Sequence, residues 1–385
     1  MSDTLAAARG IGEEVKALRR AFHRAPELGN REFLTAGRVE EVLRGLGIPT
    51  RRLTETAVMG VLRGGRPGPT VAIRADMDAL PLQEATGAAF ASGTPGVMHA
   101  CGHDVHMAAA LGAAMLLCER RETLPGAVVF LFQPDEEGDG GARRMIEAGA
   151  LEGVDAVFGC HVSPDLPLGH VGVRYGKFYA ASDTFEVRLA GRSAHGATRE
   201  KGVDALGAAA ELAQRLIALP EALPGERAVV SVGTLHAGTA INVLADRADL
   251  TGIIRTLGPQ ARQRMRGLFS RAVEAVDRAW GTASDARLHE SYPGVVNDEA
   301  MTALAFGAAS DLLGAARVHV LEAPTMTTED FGYFLQVCPG SFWHIGAGCS
   351  LPLHSSGFLP GEEAAVVAAA VHARIAEAYL GAGSL

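Results

Sequence analysis

Three histidines, a cysteine and an aspartate fall within nine residues of this chain, in MHACGHDVH, residues 98–106. Imidazole nitrogens and a thiolate are ligands for borderline divalent ions such as Zn, Mn, Co and Ni. Cys101 and His103 are one residue apart, and in an extended chain such a pair points to the same side. An almost wholly apolar run, Met107–Cys118, follows them. The pair therefore stands just before a helix, whose N-terminal dipole favours a thiolate. Downstream, QPDEEGDGG places four acidic side chains between residues 135 and 139. Carboxylates packed together have raised pKa values unless a cation neutralises them. A metal supplies that cation: one of Glu136 and Glu137 then acts as its ligand and the other as a general base on water. His161 ends the run FGCHV, and His354 lies far away in LPLHSSGF. Cys101, His103, Glu137, His161 and His354 are more donors than one catalytic ion with an open position takes. Two ions about 3.5–4 Å apart, sharing one donor and a water, use them all.

These residues need elements to hold them. TVAIRADMDALP (70–81), GAVVFLFQP (126–134) and VDAVFGCHV (154–162) each read as a buried strand ending in chemistry-bearing residues. Helical patterns separate them: two helices over 11–47 around a turn at APELGN, a helix over 104–118, and a short one at MIEAGAL. Strands alternating with helices predict an α/β domain with a mixed, mostly parallel sheet flanked by helices. In such sheets ligands bind beyond the carboxyl ends of the strands, where Asp76, Glu136, Glu137 and His161 all fall. The texture changes near residue 177. Residues 180–291 read strand-helix-strand-strand-helix-strand, the pattern of a two-layer α+β, ferredoxin-like unit inserted between residues 1–179 and 292–385.

Bulk properties exclude several classes. With 385 residues and 48% hydrophobic content the chain supports more than one domain core. A net charge of -9 without a dense Lys/Arg run argues against nucleic acid. The N-terminal segment has early acids and no apolar stretch, unlike a signal peptide. No uninterrupted apolar window of about 18 residues exists, so no membrane span is expected. Five scattered cysteines, an odd number, fit a reducing, cytoplasmic setting rather than a disulfide framework.

Taken in order, RADMDALP, MHACGHDVH, QPDEEGDGGA, GCHV, GRSAHGA, INVLADRADLTGIIRT, TEDF and LHSSGF resemble the amidohydrolase branch of the M20 metallopeptidases, over about residues 15–380. The resemblance implies one or two divalent ions (Zn, Mn, Co or Ni) held by Cys101, His103, Glu137, His161 and His354, with Cys101 bridging. It implies Glu136 as general base and Asp78 as the aspartate that orients a ligating histidine. In the wider clan a histidine stands where Asp76 stands and an aspartate where Cys101 stands. The inserted domain resembles a lid and dimerisation domain, so a homodimer or higher oligomer is expected. His195 matches a histidine that reaches the partner subunit's active site. Asn242 and Arg255 match substrate-binding positions. The implied reaction is hydrolysis of N-acyl amino acids, with carboxypeptidase or dipeptidase action on short peptides as the alternative.

Overall fold

The computed structural model describes residues 3–382. By packing, the chain divides into two units: Met1–Gly176 with Val296–Ala323 and Asp330–Leu385, and Lys177–Val295 with Pro324–Glu329.

The first unit is built on a mixed sheet that has eight strands among the described residues. Its centre is parallel: Arg66–Asp76 lies between Pro125–Gln133 and Ala156–Ser163, and Gly340–Gly346 follows on the far side of Ala156–Ser163. These strands read as continuous apolar runs because both faces are covered. All eight residues of Ala156–Ser163 are buried, as are the last six of Arg66–Asp76. Antiparallel strands Val58–Arg63 and Thr50–Arg52 extend one edge.

The helix His103–Cys118 is apolar on every side, and its residues His103–Leu117 are all buried. It packs against Gly12–Arg24 and the C-terminal helix Glu363–Gly381. That last helix is long and apolar enough to cross a membrane, but 78% of its apolar window is buried inside the protein, as a core helix is. The segment MIEAGAL is helical only through Glu147. The helix is Gly141–Glu147, and Gly149 at φ 86° turns the chain away.

The second unit has an antiparallel sheet ordered Ala283–Glu290, Ala181–Ala190, Arg247–Thr256, Ala228–Ala237. Helices Ala205–Ala218 and Pro259–Trp280 share a hydrophobic core with it. Ala181–Ala190 alternates buried and exposed residues over its second half, as a sheet covered on one face must. Asp204 caps the first helix through the Gly207 N–H, and Gly281 at φ 73° ends the second.

A buried ion network fixes the metal-facing end of the apolar helix. The Arg19 Nε donates to Asp104 Oδ2 at 2.7 Å, and the His23 Nδ1 lies 2.9 Å from the same oxygen. His23 Nε2 lies 3.2 Å from Glu84 Oε1. Burial alone raises the Asp104 pKa, but Arg19 and His23 hold it far below the usual carboxylate range. Removing one partner of such a network strands an uncompensated charge. Asp104→Ala is expected to destabilise the protein by about 3–5 kcal/mol, read as a lowered urea midpoint, whereas Arg19→Met with Asp104→Leu should recover much of the loss.

Candidate metal centre

Gly102 makes the metal-facing turn. Its φ is 87°, and a Cβ there would sit 2.5 Å from Val162 Cγ2, so no side chain fits. Cys101 and His103 are thus brought together by a left-handed turn at the helix start, not by extended chain as their spacing suggested.

His103 and His161 each have one ring nitrogen committed to a main-chain carbonyl, which leaves the other for the site. His103 Nδ1 pairs with the Asp78 carbonyl oxygen at 2.8 Å, and its buried Nε2 has no hydrogen-bond partner. His161 Nδ1 pairs with the Val162 carbonyl at 2.7 Å, and its Nε2 lies 3.2 Å from Cys101 Sγ. His354, at φ 61°, places Nε2 3.3 Å from Cys101 Sγ and 3.0 Å from Glu137 Oε1. The donors form two trios, Cys101–His103–His161 and Cys101–Glu137–His354, each with its ligand atoms within 4.8 Å of one another. Cys101 Sγ belongs to both. A third group of the same compactness, His103–Glu136–Glu137, brings the Glu136 carboxylate beside the cluster.

A fourth trio, Asp76–His103–His106, does not suit a metal. His106 Nδ1 pairs with Asp76 Oδ1 at 2.6 Å while its Nε2 accepts the Val162 N–H at 2.9 Å, so neither nitrogen is left. His99 is buried, and its own burial pushes its pKa down to about 3. His106 is structural in this arrangement, and His99 belongs to none of the donor groups.

The electrostatics fit a cation. Burial alone would lower the pKa of His103, but Asp76, Asp78 and Glu137 outweigh it and push it up to about 10. Burial, with Glu137 and Glu136 nearby, drives the Cys101 thiol well above its ordinary range. Without a cation beside the thiol, that burial outweighs the help a helix N-terminus gives a thiolate. Burial would also raise Glu137, yet His354 and His103 hold it below its ordinary value. Divalent ions would replace the protons that this anionic cage otherwise gathers. The buried Nε2 of His103, left without a hydrogen-bond partner, is an atom such an ion would satisfy.

The acidic loop is only partly solvated: Asp135 and Glu136 are buried and Glu137 is nearly so, while Asp139 is exposed. Asp78 spans it from beneath. Its Oδ1 accepts the Glu136 N–H at 3.0 Å and its Oδ2 the Glu137 N–H at 2.9 Å. Asp78 thus orients His103 by its main chain and the two glutamates by its side chain.

Sequence reasoning assigned no role to the layer behind. Arg74 donates to Asp76 Oδ2 at 2.6 Å, Asp330 Oδ1 at 2.8 Å and Gln133 Oε1 at 2.8 Å, all buried. The available signal was an arginine inside a buried strand, in AIRAD.

His195, Asn242 and Arg255 lie on the second unit. His195 and Asn242 are neighbours there: the Gly196 N–H donates to the Asn242 carbonyl, and His195 bridges Val243. The Ala197 N–H donates to His195 Nδ1 at 3.1 Å, leaving the exposed ring's Nε2 as a donor. Arg255 is half-buried, which lowers its pKa, and no acid of the described residues forms an ion pair with it.

Residues 72–378 match the model of Peptidase family M20/M25/M40. The chain is 37% identical to the N-acetyl-L-cysteine deacetylase of Bacillus subtilis (strain 168) over 93% of its own length and 86% of that protein. It is 36% identical to thermostable carboxypeptidase 1 of Saccharolobus solfataricus over 96% of both. The crystal structure of the Bacillus subtilis YXEP protein, described as a dinuclear metal binding peptidase from the M20 family, superposes with a TM-score of 0.88 at 35% identity. It covers 97% of this chain and 99% of that one.

Sharing of Cys101 between trios has a measurable consequence. Elemental analysis after dialysis against Mn or Zn should give about two ions per chain for the unaltered protein and about one for His354→Ala. Cys101→Ala should hold less metal than His354→Ala, since it removes a donor from both positions.

Proposed function

This chain belongs to peptidase family M20/M25/M40, and we propose that within it the protein is a metal-dependent amidohydrolase that cleaves N-acyl amino acids to a carboxylic acid and a free amino acid. The observation that carries the reading is the pair of donor trios joined at Cys101, with the Glu136 carboxylate beside them. Bound divalent ions supply Lewis acidity toward the amide carbonyl and acidify water.

The chain's own groups do the rest. Glu136, buried and held by its N–H on Asp78, takes a proton from the attacking water and delivers it to the leaving amine nitrogen. Cys101, His103, Glu137, His161 and His354 hold the ions. His195 donates from Nε2 to the oxyanion; the tautomer supports that direction. We assign this donor to the partner subunit's active site in a homodimer, with the inserted unit as lid and dimerisation domain.

Arg255 reads the substrate carboxylate. A half-buried guanidinium without an acidic partner is suited to a ligand anion, and Asn242 adds a polar contact. The same carboxylate recognition suits a peptide C-terminus, so carboxypeptidase action on short peptides is the second reading. It is supported by the likeness to a carboxypeptidase. We place the protein in the cytoplasm: among the described residues no disulfide joins the cysteines, which suits a reducing compartment.

Glu136→Gln should lower kcat by about 10²–10⁴-fold while metal content stays the same. Near-normal turnover in that variant would remove Glu136 from the base role. Arg255→Ala should raise KM for N-acetyl amino acids about tenfold or more with little change in kcat. Comparison of N-acetyl amino acids with dipeptides by kcat/KM should favour the acyl substrates, and the reverse order would make the peptidase reading primary.

A further inference from the structure

The turn APELGN, residues 25–30, has no part in the hydrolysis described above. Yet with the residues just after it, it packs against the catalytic loop. Asp135, immediately before Glu136, has φ 59°, a left-handed backbone for a non-glycine residue. Asp adopts this region more readily than most residues but still prefers negative φ, so the surroundings here select it.

Here they do so from several sides. The Asp135 N–H donates to Glu32 Oε1 at 2.9 Å. Its carboxylate accepts from Asn30 Nδ2 at 2.7 Å and from Arg144 Nη2 at 2.9 Å. Asn30 is itself left-handed, at φ 61°. The space around the carboxylate is closed by absent side chains. A Cβ on Gly29 would come 2.2 Å from Asp135 Oδ1, and one on Gly138 2.3 Å from it. With the two bonds to Asp78, three successive N–H groups, those of 135, 136 and 137, end on two buried carboxylates. Burial and nearby Asp78 push the Glu32 carboxyl up to about 7, and its Oε2 is buried without a hydrogen-bond partner. Glutamine at this place keeps an oxygen that can accept the Asp135 N–H.

We propose that Glu32, assisted by Asn30, is a positioning residue for the hydrolytic reaction: it acts through the main chain of Asp135 to impose the left-handed turn that aims Glu136. This rests on Glu136 being the general base. Without the clamp, Asp135 relaxes toward negative φ and the next residue swings with it. A misplacement of about 1 Å at a reacting group costs on the order of 10²-fold in rate.

The test is steady-state kinetics on the Mn-loaded enzyme with an N-acetyl amino acid. Glu32→Ala should lower kcat about 10–100-fold, with KM and metal stoichiometry within about twofold of the unaltered protein. Glu32→Gln keeps an oxygen acceptor for the Asp135 N–H and should stay within about threefold of normal. If Glu32→Ala keeps normal kcat, if its loss lies in KM or metal content, or if Glu32→Gln fails to rescue, the proposal is overturned. Should Glu32→Ala not fold, Asn30→Ala decides. It should lower kcat about fivefold or more at constant KM, and an unchanged kcat overturns the clamp. Glu136→Gln run beside them separates the two ideas. An active Glu136→Gln removes the base reading, whereas an inactive one beside a normal Glu32→Ala removes only the clamp.

Discussion

A thiol, two glutamates and several imidazoles are gathered at a site where Cys101, His103, His161 and Glu136 are buried and His354 stands at the exposed mouth, and their charges do not balance among themselves. Without a cation the cage collects protons: burial and neighbouring carboxylates push the Cys101 thiol up, and those carboxylates push His103 up to about 10. That imbalance is the constraint on which the rest of the centre depends. A low-dielectric pocket strengthens every charge interaction in it, so the anionic donors are tolerable only beside positive charge. Placing Cys101 Sγ in both donor trios lets five side chains serve two positions. The left-handed Gly102 is what allows Cys101 and His103 to stand so close to Val162 and to each other.

Around that cage the fold assigns each lone pair by a second bond. His103 and His161 spend Nδ1 on carbonyl oxygens, which leaves Nε2 for the site. His106 is equally close but spends both nitrogens, on Asp76 and on the Val162 N–H. Proximity alone does not make His106 available to a cation here; its hydrogen-bond inventory leaves no nitrogen free. Asp76 is in turn held by Arg74, which reaches Asp330 as well. The ends of the parallel strands are thereby cross-linked beneath the centre, where open sheets of this kind bind ligands.

Much of this was legible in the residue order, for reasons that also mark its limits. Buried parallel strands are apolar throughout, so Val71–Ala75, Val128–Phe132 and Ala156–Cys160 announced themselves. The candidate donors did too, since five side chains of metal-ligating type at strand ends and loops are an uncommon coincidence, and the structure gathers them into two trios. Geometry was not legible. Extended-chain spacing brought Cys101 and His103 together, and the structure does so too, but through a left-handed Gly102 rather than an extended chain, because a glycine's φ is not written in its neighbours. Nor does residue order show that burial beside carboxylates works against the dipole at Cys101 when no cation is present. The Arg74–Asp330 contact joins residues 256 positions apart, and no periodicity reports such a pair.

One device recurs in the loops that serve the centre. Loops that present side chains to metal cannot use sheet or helix ladders, so their N–H groups need other acceptors. Carboxylates fill that need. Asp78 takes the N–H groups of Glu136 and Glu137, and Glu32 takes that of Asp135. Glu27 takes those of Leu34 and Thr35 at a helix start that lacks a side-chain cap of its own. Glu84 takes that of Ser92, and Asp330 that of Ala142 at another helix start. Acids are well suited to this work because each offers two oxygens that accept along several directions. The consequence is that many of the chain's carboxylates are structural rather than reactive. Separating Glu136 from the others requires its position beside the donors, not its chemistry, since Asp78, Glu32 and Asp330 share that chemistry and serve the backbone instead.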